Sequence, residues 1–181
     1  IAGSVRGVGT VSFEGGAKAQ AIINTGSTLK GNTRIGGAIG YVADVAATVN
    51  VASLEIGGEI AASNSASGKK AQVGGFIGCI MQSTYKEGKI ASSAEKNVSI
   101  TGLSFSSFDM TVGKSGDAKN GAGGLLGYSW GNAVVTIGDG SVNKDANSYA
   151  LKTTNASITA NSSGELGGLV YAASGHWIIN D

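Results

Sequence analysis

The chain has 181 residues, of which 14% are charged, and a formal net charge of +1. It therefore lacks the basic stripe with which a nucleic-acid binder displaces counterions from phosphate. Glycine fills 31 positions, proline none, and hydrophobic residues 41%, which excludes a disordered Gly-Ser linker.

No apolar run approaches the roughly 18 residues of a membrane-spanning helix. The opening Ile1-Ala2-Gly3 has neither an initiator Met nor a signal peptide, as expected of a processed or excised piece. Cys79 is the single cysteine, so no internal disulfide is available. Lys69-Lys70 is the nearest thing to a basic cluster, and a solvated loop explains it.

In chain order, Val8-Gly9-Thr10-Val11-Ser12-Phe13 reads as the later part of a repeating unit. A first opening follows, Gly36-Gly37-Ala38-Ile39-Gly40-Tyr41, and behind it Val49, Val51, Leu54 and Ile56. Alternation within each pair is the strand period of two. The two-residue gap between Val51 and Leu54 breaks the phase, as a strand does when it turns a corner and starts again facing inward. The polar stretch 62–68 reads as a turn. The second opening is Gly74-Gly75-Phe76-Ile77-Gly78-Cys79, backed by Val98, Ile100, Leu103 and Phe105, with a turn at 114–117.

The third opening, Gly123-Gly124-Leu125-Leu126-Gly127-Tyr128, leads to Val135 and Ile137, where Gly138-Asp139-Gly140 replaces the corner. The fourth, Gly167-Gly168-Leu169-Val170-Tyr171, has a tyrosine in place of the third glycine and runs on to Trp177-Ile178-Ile179. The first glycines of the openings are 38, 49 and 44 residues apart. No window keeps a helical spacing without glycines or β-branched residues interrupting it, and glycine costs about 1 kcal/mol relative to alanine inside a helix.

Repetition at this period suits a propeller blade or a solenoid. Four blades are few for a closed ring. A round of three short strands takes roughly 20 residues, so two rounds per repeat are expected. The glycines are expected where φ is positive or backbones approach closely, and Tyr41, Cys79 and Tyr128 in equivalent places. The predicted fold is all-β, a parallel β-solenoid or β-helix of four degenerate repeats of about 38–49 residues. It is expected to form a single domain over 1–181, a segment of a larger or assembling protein.

The Gly-Gly-aliphatic-aliphatic-Gly openings resemble the GLUG-type repeat of bacterial and protist surface proteins. The resemblance covers the four openings and the strands behind them. It implies an extracellular or cell-surface, repetitive, β-rich protein with a structural or adhesive role.

Catalytic and cofactor motifs are sparse. A P-loop needs a Lys after its glycines, and none follows here. His176 is the only histidine, and Cys79 has no second thiol, so metal sites built from several His or Cys are excluded. Carboxylates are few and scattered: Glu55 near Glu59, Asp139 near Asp145, with only Arg6 and Arg34 as arginines. A polysaccharide lyase or hydrolase needs them clustered. No enzymatic activity, cofactor or metal is therefore expected. Gly138-Asp139-Gly140 reads as a turn rather than a calcium motif, and Thr153, Thr154 and Thr159 do not make a ladder.

Partners are expected at the ends: self-association, or contact with neighbouring segments of a longer chain. Trp177, Ile178 and Ile179 on one side and Val8, Val11 and Phe13 on the other would carry that contact. The alternative is a carbohydrate-binding adhesin module, with Trp130, Tyr85 and Tyr149 as glycan contacts; a polysaccharide-active enzyme ranks third. Asn97, Asn155 and Asn161 open N-glycosylation sequons.

Overall fold

The structure is a computed structural model. It describes residues 1–6, 9–15, 21–23, 28–31, 34–43, 47–62, 72–81, 85–86, 89–90, 96–112, 120–129, 133–139, 149–160, 164–173 and 175–180. Every element among them is a strand. Apart from the antiparallel hairpin Tyr85–Lys86 with Lys89–Ile90, all pairing is parallel.

Four parallel sheets result. The first holds Ala2–Arg6, Ile39–Ala43, Ile77–Ile80, Leu126–Ser129 and Val170–Ala173, in that spatial order. The second holds Gly9–Phe13, Ala47–Val51, Lys96–Ile100, Ala133–Ile137 and His176–Ile179. In the third, Leu151–Ala160, Leu103–Val112 and Leu54–Ala62 follow one another, and both Ala21–Ile23 and Thr28–Gly31 pair with Leu54–Ala62. The fourth holds Arg34–Gly36, Gln72–Gly74, Asn120–Gly123 and Gly164–Gly167. The chain visits the sheets in the same cyclic order and pairs each new strand with its counterpart from the previous visit.

One round, not the expected two, therefore separates consecutive openings. Gly36 pairs with Gly74, Gly74 with Gly123, and Gly123 with Gly167. The expectation counted three strands per round, whereas a round also contains a fourth-sheet strand and a third-sheet strand of nine or ten residues. That long strand bends midway, at positive φ: Gly58 (90°), Ser107 (49°) and Asn155 (50°). The 49-residue spacing includes the Tyr85–Ile90 hairpin, inserted between a first-sheet and a second-sheet strand.

Residues facing the enclosed space form one continuous core. Strand alternation sends every second side chain inward, so Ala47–Val51 alternates buried and half-buried positions. Ile39, Ile56, Ile77, Ile100 and Leu126 are completely buried, each contributing about 1.5–3 kcal/mol relative to exposure. Phe13 meets Phe76 edge-on, centroids 5.9 Å apart. Of the positions predicted to face inward, all but Leu169 and Val170 are buried; these two lie in the last described round, which has a neighbour on one side only among the described residues.

The corner Ala52-Ser53 stacks through its backbone, Thr101 and Gly102 donating to the Val51 carbonyl at 2.8 and 3.1 Å. At the openings the glycines serve close approach rather than positive φ. A Cβ on Gly74 would lie 2.6 Å from the Gly127 amide nitrogen, and one on Gly78 would lie 2.7 Å from that of Ile35. First-sheet and fourth-sheet backbones thus touch where other sheets are held apart by side chains.

Candidate functional sites

Two regions stand out once the core is set aside: a groove on the outer face of the third sheet and the apolar face of the last round.

In the third sheet Ser104 pairs with Glu55 on one side and Lys152 on the other. Being offset by one from the inward row of Leu54 and Leu103, both buried, and the partly buried Leu151, these three residues point outward. The next outward row contains Ser106 beside Thr154. The corner carrying Ala52, Ser53, Gly102 and Tyr149 forms one wall. The cleft, open to solvent, measures about 400 Å³ and its lining is mainly polar. Tyr149 is 58% exposed at the rim.

The last round presents the opposite chemistry. Leu166, Leu169, Ile178 and Ile179 are 47%, 38%, 43% and 58% exposed. Trp177 pairs with Val135 and Ile179 with Ile137, so both occupy inward positions. The Trp177 ring is half-buried, and its Nε1 is buried without a hydrogen-bond partner. An apolar cavity of about 210 Å³ opens between Phe105, Phe108, Leu125, Ile158 and Leu169. Tyr171 fills the place of the third glycine by laying its ring over Gly121, where any Cβ would collide with it, and its hydroxyl donates to Glu165. That hydrogen bond, with some desolvation, pushes the phenol up to about 12.

On the other side of the stack, Val11 is half-buried and Phe13 is buried, its ring spent on Phe76. Among the glycan candidates Tyr149 reaches a cleft. Trp130, Val8 and Asn161, and the side chain of Tyr85, lie outside the described residues. Asn97 is exposed on a second-sheet strand, and Asn155 is exposed at the third-sheet bend.

Cys79 and His176 are not brought together. Cys79 is buried in the first sheet, flanked in register by Tyr41 and Tyr128 as expected, whereas His176 is exposed on the last second-sheet strand. Burial pushes the Cys79 thiol up to about 12, with the Arg34 charge acting in the other direction. Arg34 itself sits 4.1 Å over the Tyr41 ring and donates to the Met81 sulfur at 3.3 Å. The carboxylates are more ordered than their sequence spacing suggests, because Asp109 pairs in register with Glu59 and accepts from Ser157. Among the described residues there is no group of three metal-ligating side chains and no helix long and apolar enough to cross a membrane.

Sequence reasoning missed Ser104, Ser106 and Lys152, and on the last round Leu166; it considers Thr154 only as part of a threonine ladder. The outward positions carry no periodic signal, since their identities differ in each round. Leu166 did carry one: an Ile, Val, Ala or Leu precedes each Gly-Gly pair, at Ile35, Val73, Ala122 and Leu166. No family model matches this chain, and comparison with curated proteins and with solved structures yields no match.

Proposed function

We propose that the chain is a module of a parallel β-solenoid with a structural or adhesive role at the cell surface, and that it associates end to end through its last round. In this reading each Gly-Gly opening marks one degenerate repeat and one round. The carrying observation is the apolar face of Leu166, Leu169, Trp177 and Ile179, set on strands whose outer edge is unpaired among the described residues. Open strand edges recruit further strands, and stacked repeats need a neighbour or a polar cap to cover their core.

A second copy, offering the edges of Ala2–Arg6 and Gly9–Phe13 with Val11 between the sheets, would continue the parallel register. Such a head-to-tail contact is heterologous and grows into a filament unless its rotation closes. The cell-surface placement rests on the resemblance of the openings to GLUG-type repeats. Sedimentation velocity across a wide concentration range tests the reading. The 181-residue chain is expected to form concentration-dependent linear oligomers, and Ile179→Lys, at an exposed position, to leave monomers that keep the wild-type circular dichroism. A wild-type chain that stays monomeric throughout would overturn end-to-end association.

A further inference from the structure

We infer that the groove on the outer face of the third sheet binds a short, uncharged oligosaccharide, with Tyr149 as stacking platform and Glu55, Ser104 and Lys152 as polar contacts. The groove lining shares no residue with the apolar face of Leu166, Leu169, Trp177 and Ile179, so this inference and end-to-end association can fail separately.

Three observations carry it. First, the cleft of about 400 Å³ lies within the ordinary range of ligand sites, about 300–1,000 Å³. Second, its chemistry suits a polyol. A carboxylate accepts from two adjacent sugar hydroxyls, an ammonium donates to ring and hydroxyl oxygens, and the Ser104, Ser106 and Thr154 hydroxyls do both. A tyrosine that is 58% exposed has a free ring face for the C–H side of a pyranose, and tyrosine combines such a face with a polar tip at little entropic cost.

Third, the register sets a length. Glu55 and Lys152 are in line across the sheet with Ser104 between them. Two strand spacings separate them by about 10 Å, the reach of two linked sugar rings.

Other ligands fit less well. A phosphate group would face one cation and a repelling Glu55. A peptide adding as a strand would pair along the outer edge of Leu151–Ala160, unpaired among the described residues, and would lie beside the groove rather than across the Glu55-Ser104-Lys152 line.

The test uses the full chain with immobilised neutral gluco-, galacto- and manno-oligosaccharides, followed by titration calorimetry of any that bind. At least one neutral oligosaccharide of two or more rings is expected to bind. Tyr149→Ala and Glu55→Gln should each weaken it about tenfold or more, about 1.4 kcal/mol. Asp109→Asn, on the same sheet beyond the bend, should leave binding unchanged. Both groove residues are outward, so the variants should keep the wild-type unfolding midpoint. Ile179→Lys should bind as wild type does, which separates this inference from the assembly reading. Failure of every neutral oligosaccharide to bind at millimolar concentration would overturn it. So would binding that survives both groove substitutions, or binding confined to sulfated or phosphorylated probes.

Discussion

The round beginning at Gly74 and the round beginning at Gly167 share a motif and a register, yet their side chains meet opposite fates. Ile77, Leu126 and Val170 stand in one row of the first sheet. The first two are completely buried and the third only partly. A Cβ on Gly124 would lie 2.3 Å from the Gly168 carbonyl oxygen, whereas one on Gly168 would meet nothing within 4 Å. The difference lies in the number of neighbours. A round enclosed on both faces turns each inward residue into core and each opening glycine into a steric requirement. A round enclosed on one face leaves the same residue types as an exposed apolar surface.

The largest expected effect comes from emptying the row at its two places. Ile77→Ala should cost about 2–5 kcal/mol, and Val170→Ala about 1 kcal/mol, on the basis of the few methyl groups it returns to water. Urea unfolding midpoints measure both, and equal losses would break the comparison. Filling the backbone contacts should rank next. Gly124→Val should cost about 1–3 kcal/mol by forcing the stacked carbonyl away, while Gly168→Val should stay within about 0.5 kcal/mol of wild type.

A chemical probe sharpens the same contrast. Cys79 pairs with Tyr128, which in turn pairs with Ala172 on the last round. The Cys79 thiol, raised to about 12 from an ordinary value of 9.0, stays protonated in the folded chain at pH values where the unfolded chain carries a thiolate. Its contribution to stability is therefore complete below about pH 9 and lost as pH rises toward 12. Iodoacetamide at pH 8.5 should leave Cys79 unmodified until the protein unfolds, whereas a thiol introduced by Ala172→Cys should react in the folded state. Rapid labelling of Cys79 in the native protein would show that its round is less closed than its packing implies. A small effect is expected at Tyr171→Phe, which removes the hydrogen bond to Glu165 and should cost at most about 1 kcal/mol, read from the unfolding midpoint. Its part-exposed setting limits that loss.

Much of this architecture is legible in the residue order, because strand alternation is a local property. Val49, Val51, Leu54 and Ile56 announce two inward-facing strands and the corner between them, and the structure places strands at 47–51 and 54–62 around it. The Gly-Gly openings likewise mark places that recur, since a glycine run among aliphatics has few other uses in a chain without helices. The reason for those glycines was not legible. Positive φ and close approach predict the same residue, and only the packing of Gly74 against Gly127 and of Gly78 against Ile35 decides for the second. The number of rounds per repeat was also hidden, because the fourth-sheet strands Arg34–Gly36 and Gln72–Gly74 are too short to show a period.

The groove depends on tertiary structure altogether. Glu55, Ser104, Tyr149 and Lys152 are dispersed over nearly a hundred residues of chain. Parallel pairing sets three of them in one line and brings the fourth to the rim. The composition and order of the residues determined that this protein would be built of short inward-alternating strands with glycine corners. Stacking decided which of those strands are enclosed, which apolar residues stay at the surface, and which distant polar side chains share a cleft. The physical reason is that alternation is set by bonds along the chain, whereas enclosure and side-chain convergence are set by strands one round away.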